Sequence, residues 1–154
     1  MFDALHRLLT GLDHPNRAAE GNDSAFALAV LLIDVARSDN RVVDREEGVI
    51  ERALTRRFDL AQSEVARLVK AAEEGALRAT DLFQFTQVVV NNFSEDERIG
   101  VIEMLWEVAY SDGVLTGDED SLIRRVAGLI YVSDRDRGDA KLRVRERLGE
   151  SPIP

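Results

Sequence analysis

Shifted by 73 residues, the chain lies on itself without a gap, residues 33–54 falling on 106–127. Val35-Ala36 meets Val108-Ala109, and Ser38-Asp39 meets Ser111-Asp112. Val42 meets Leu115, Glu46 meets Glu119, Ile50 meets Ile123 and, farther on, Phe58 meets Tyr131. Such a repeat restricts the fold more than any local signal, because each half must accept what the other adopts. Two copies are too few for an open solenoid, which needs about three or more. The expected product is one compact bundle with an approximate two-fold repeat, its units spanning about 24–75 and 94–148.

The units read as helices. The three prolines are Pro15, Pro152 and Pro154, so none interrupts residues 16–151, and long helices are permitted there. Residues 25–33 are unbroken apolar, which marks a helix buried on nearly every face. A further helix is expected from Asp44 to Arg57, with Asp44 and Glu47 in the positions of a reciprocal cap. The next runs through Val65, Leu68 and Val69, and Gly75 is expected to end it. Val88, Val89 and Val90 favour a strand by propensity. Leu82, Phe85, Val89 and Phe93 nevertheless keep a 3–4 spacing, so this segment is also read as helix. Ser94 with Glu97 forms a capping box for the following one, and two more are expected over about 116–131 and 134–148. The reading is therefore all-α: a single compact bundle of about seven to eight helices in one domain over 1–150, with 151–154 fraying.

The two copies of the joint between helices carry the most chemistry. Asn40 meets Gly113, and Gly and Asn are the residues that best tolerate the left-handed backbone of a helix C-terminal turn. Val42 and Leu115 are apolar residues on a short loop, expected to plug back onto the core. Glu46 and Glu119 belong to the first turn of the next helix, where the macrodipole favours a carboxylate. Asp39, Glu46, Asp112 and Glu119 are also oxygen ligands suited to Ca²⁺ or Mg²⁺. Neither joint is an EF-hand: the third, fifth and twelfth positions counted from Asp39 are Arg41, Val43 and Ile50, and from Asp112 they are Val114, Thr116 and Ile123. Each of these carboxylates has a structural use as well, turning the chain or capping the next helix. Whether they also hold a cation depends on whether the two joints meet.

Ala36-x-Ser-Asp-Asn-x-Val-x-x-x-Glu46 and Ala109-x-Ser-Asp-Gly-x-Leu-x-x-x-Glu119 resemble the repeated motif of TerB-like tellurite-resistance domains. The resemblance extends over nearly the whole chain, including the connection from Phe58 to Glu64. It implies an all-α, cytoplasmic, bacterial domain linked to tellurite and other stress resistance. It further implies acidic residues that bind divalent cations and no attached enzymatic activity. Asn40 departs from the family pattern, which has Gly there.

Composition narrows the rest. With no cysteine, disulfides and thiolate chemistry are excluded. A net charge of −9 argues against nucleic acid, whose phosphates call for a basic surface, and suits a cation or a basic protein partner. His6 and His14 have no partner at metal-ligand spacing, and no phosphate loop or catalytic triad order is present. The C-terminal helix is locally basic, with Arg137, Lys141 and Arg145 on one side. Asp34 and Glu107 interrupt otherwise apolar helices and are read as a narrow solvated stripe, Asp34 pairing with Arg37 and Glu103 with Glu107 forming an exposed acidic edge. Residues 2–12 are amphipathic and read as a docked helix rather than a membrane anchor. The leading expectation is a non-enzymatic domain acting through protein partners, with a divalent cation at the acidic joints. The alternatives are a metal-dependent hydrolase using the same four carboxylates, and a peripheral membrane protein held by its first helix.

Overall fold

The computed structural model describes residues 17–37, 44–78, 82–111 and 116–149, with side chains described from Asp23 in the first helix and from Gly48 in the second. Seven helices occupy these segments: α1 (Arg17–Ala36), α2 (Asp44–Phe58), α3 (Gln62–Arg78), α4 (Phe83–Asn92), α5 (Glu95–Ala109), α6 (Gly117–Leu129) and α7 (Asp134–Arg147). The expected helix over residues 2–12 and the tail 151–154 lie outside the described residues.

Helix α1 organises the rest. Leu28, Ala29, Val30, Leu31, Leu32 and Val35 are fully buried, so almost every face of the helix meets protein. It packs chiefly on α3, then on α4 and α5. Each large aliphatic side chain buried this way contributes about 1.5–3 kcal/mol before entropy is counted. In the second half α5 takes the corresponding place and packs chiefly on α7. Val101, Ile102, Leu105, Trp106, Val108 and Ala109 of α5 join the same core cluster as α1. The indole N–H of Trp106 donates to the Arg137 carbonyl at 3.2 Å, satisfying a buried donor.

The valine-rich segment is helical, as the 3–4 spacing requires. Leu82, Phe85, Val89 and Phe93 are all buried, and packing on α1 overrides the strand propensity of Val88–Val90. Ser94 and Glu97 form the expected box: Ser94 Oγ accepts from the Glu97 N–H at 3.2 Å, and the Glu97 carboxylate accepts from the Ser94 N–H at 2.8 Å.

Gly75 does not end its helix. Helix α3 continues through it to Arg78. The reason for glycine is lateral: a Cβ there would meet the Phe26 ring at 3.0 Å and Val30 at 3.7 Å, both on α1. Glycine lets the two helices approach, and Phe26 in turn packs on Phe85 at 6.2 Å between ring centroids. The left-handed residues fall elsewhere. Asp59 (φ 52°) turns the chain out of α2 and Tyr131 (φ 62°) turns it out of α6. The Val132 N–H then donates back to Ala127 at 2.8 Å, closing the helix C-terminus.

A Gly75→Leu variant is expected to lose about 1–3 kcal/mol through overpacking against Phe26, read as a lowered midpoint in urea unfolding. Tyr131→Gly should instead raise stability, because the left-handed conformation costs a non-glycine residue about 1–2 kcal/mol.

Candidate functional site

The described ends of the two joints come together crosswise. A cleft of about 540 Å³ lies between the C-terminal end of α1 and the N-terminal end of α6, lined by Asp34, Arg37, Asp118, Ser121, Leu122 and Arg125, with Ala76 and Leu77 of α3. A groove of about 900 Å³ lies between the end of α5 and the start of α2, lined among others by Glu107, Tyr110, Ser111, Gly48, Val49 and Arg52. The shift that reveals the repeat exchanges these linings: Asp34 for Glu107, Arg37 for Tyr110, Ser121 for Gly48, Leu122 for Val49 and Arg125 for Arg52. The first joint therefore leaves from the cleft and returns to the chain beside the groove. The second leaves from the groove and returns beside the cleft.

Of the expected ligands, Glu119 is described in full. Thr116 caps α6, its hydroxyl accepting from the Glu119 N–H at 3.1 Å, while Glu119 Oε1 accepts from the Thr116 N–H at 3.0 Å. The Thr116 hydroxyl lies a further 3.2 Å from the same carboxylate oxygen. Glu119 is 1% exposed, a buried carboxylate held over the helix N-terminus. The Thr-x-x-Glu spacing is the same signal read at Ser94 and Glu97, and it would have located this cap. Asp39, Asn40, Val42, Asp112, Gly113 and Leu115 lie outside the described residues, as do the side chains of Asp44, Glu46 and Glu47. Among the described residues no group of three or more His, Asp or Glu is arranged to hold a metal ion.

The acidic stripe differs from expectation. Glu103 and Glu107 are not an exposed edge: their side chains are 20% and 12% exposed and both are bound by arginines. Glu103 binds Arg143 at 3.0 Å and Arg147 at 2.8 Å. Glu107 binds Arg147 at 3.2 Å and Arg56 at 3.1 Å. These hydrogen bonds, Glu103's first, hold the Arg147 guanidinium above its ordinary pKa. The partners are 40 to 51 residues away in the chain, so no local pattern announces them. Asp34, at the equivalent position, makes no ion pair with Arg37. Burial pushes its carboxyl above the ordinary value, with the charges of Arg125 and then Arg37 pulling the other way.

The ladder also employs the basic face of α7. Arg143 and Arg147 are committed to α5, Arg137 binds Asp134 at 2.6 Å, and Lys141 sits 5.0 Å from the Trp106 ring and 3.7 Å from Asp120. Arg143, Arg147 and Lys141 tie α7 to α5 and α6, while the Arg137 ion pair lies within α7.

The sequence matches the family model described as tellurite resistance protein TerB over residues 25–142, from the buried run of α1 into α7. This chain belongs to the TerB family. No curated protein matches it significantly. The TerB chain is similar in fold to a crystal structure of a protein of unknown function from Porphyromonas gingivalis W83, with a TM-score of 0.59 and 18% identity, covering 80% of this chain and 94% of that one. The TerB match takes in both joints and all four candidate carboxylates. Among the described residues of this TerB chain, no helix is long and apolar enough to cross a membrane.

The raised pKa of Asp34 gives a signed prediction. A carboxyl whose folded pKa lies above its unfolded one stabilises the fold fully only below the unfolded value. That stability is lost as pH rises through the folded value. Asp34→Asn should therefore raise the Tm at pH 7, and the difference should close below about pH 3.8, the ordinary value. Glu107→Ala, which releases the exposed Arg56 and leaves Arg147 to Glu103 alone, is expected to cost up to about 1 kcal/mol, with a loss that shrinks in high salt.

Proposed function

We propose that this chain is a non-enzymatic TerB domain that acts through protein partners and holds a divalent cation, Ca²⁺ or Mg²⁺, where its two acidic joints converge. The observation that carries the cation reading is the crossing of the joints. The described residues next to the first joint line the same two clefts as those next to the second, which supports bringing one joint's carboxylates toward the other's. Hard oxygen donors from two loops suit Ca²⁺, or Mg²⁺ with retained waters. Burial of Glu119 and its bond to the Thr116 N–H support a rigid, pre-oriented carboxylate. The same burial speaks against the hydrolase alternative, which needs its carboxylates around an open, water-filled cleft. Partner binding is supported by the net charge of −9, which attracts basic surfaces within about a Debye length. A bacterial, cytoplasmic role in tellurite or other stress resistance completes this reading by analogy with the family.

Calorimetric titration of the purified chain with CaCl₂ and MgCl₂ tests the cation. Saturable heat is expected for at least one metal, with stabilisation of about 2.7 kcal/mol at a hundredfold excess over Kd, and Asp39→Asn with Asp112→Asn should remove both. Absence of heat and of any Tm change at millimolar metal overturns the cation reading.

A further inference from the structure

We infer that the cleft at Asp34 receives an arginine side chain from a protein partner, as the equivalent Glu107 receives Arg147 from α7. This rests on the partner-docking reading above and names the chemistry that would be docked. The two acids occupy equivalent positions of the repeat, 73 residues apart, yet among the described residues only Glu107 is held by ion pairs. Glu107 holds two guanidinium groups, at 3.1 and 3.2 Å. The Asp34 side chain makes no hydrogen bond and no ion pair within 4 Å among the described residues, and neither do the side chains of Arg37 and Arg125 beside it, whose charges reach Asp34 from farther off. The substitution pattern explains this. The positions equivalent to Arg56 and Arg147 are Leu129 and Glu74, so the cleft at Asp34 lacks both cations that serve the groove at Glu107.

The neighbouring charges do not bar a guanidinium. Arg125 corresponds to Arg52, which lines the groove at Glu107 where two arginines are already accommodated. The extra cation at Arg37 is offset by Asp118, whose equivalent is Arg45. The cleft, about 540 Å³, has room for an arginine side chain and its flanking backbone. Leu77, on its rim and 67% exposed, offers apolar surface for the methylene stem. A half-buried carboxylate that burial alone makes costly to ionise gains most from a planar, bidentate cation.

The test is a titration of the isotopically labelled full chain, in chelator, with the blocked tripeptide acetyl-Ala-Arg-Ala-amide, followed by amide chemical shifts. Citrulline in place of arginine supplies the neutral isostere. Saturable shifts confined to the end of α1 and the start of α6, absent with citrulline, support the assignment. Asp34→Asn, expected to fold because it relieves a buried charge, should weaken the tripeptide about tenfold or more, while Glu51→Gln should not. Shifts spread over surface acids generally, or unchanged in Asp34→Asn, overturn it. A protein partner retained by wild type and equally by Asp34→Asn leaves docking standing and the cleft assignment overturned. Cleft-specific tripeptide binding without any retained partner supports the cleft and counts against docking.

Discussion

The burial of α1 on nearly all sides is the constraint from which the rest follows. A helix with no solvent face needs neighbours all round it, and the chain supplies them from α2 through α6. Close approach is needed on the α3 side, which is why Gly75 faces Phe26 and Val30. Any polar group on such a helix then becomes conspicuous. Asp34 is the acid α1 carries near its C-terminal end, and its half-burial at the cleft is a direct result of where α1 sits.

Helix α5 solves the same problem differently. It too is mostly buried, yet it carries Glu103 and Glu107 on one side, and the arginines of α7 and α2 close over them. An ion-pair ladder of this sort contributes little per exposed pair. It fixes register instead: two acids one turn apart on α5 hold two arginines one turn apart on α7. Where the first half has a buried contact through glycine, the second has a charged seam. The two halves thus hold their helices by different means.

The helical class, the core positions and the family were legible in the sequence because they rest on periodicity and on a motif stated twice. Leu82, Phe85, Val89 and Phe93 kept a helical spacing that survived their strand-like neighbours. Gly75 was misread because helix-ending glycine and close-packing glycine look alike in one dimension; only the position of Phe26 separates them. Glu103 and Glu107 were misread for a related reason, since an acid i, i+4 pair signals an exposed edge unless a distant helix brings cations to it. The capping role of Glu119 was legible from its first-turn position, and Thr116 is the partner that completes it. The crossing of the joints was not legible at all. It needs the mutual placement of α1 with α6 and α5 with α2, which no local pattern encodes.

That crossing bears on how the molecule comes into being. Each joint departs from one cleft and arrives at the other, so the start of α6 is completed by α1 and the start of α2 by α5. Neither triplet of helices closes its own surface. Repeat arrays in which units touch only their neighbours can assemble stepwise from any point; here the main packing of each half is its own, α1 on α3 and α5 on α7, but its helix starts are covered by the other. The contacts between the halves predict a single cooperative transition. A half expressed alone should pair with a second copy of itself, each lending the other the helix start that its missing sister would have covered.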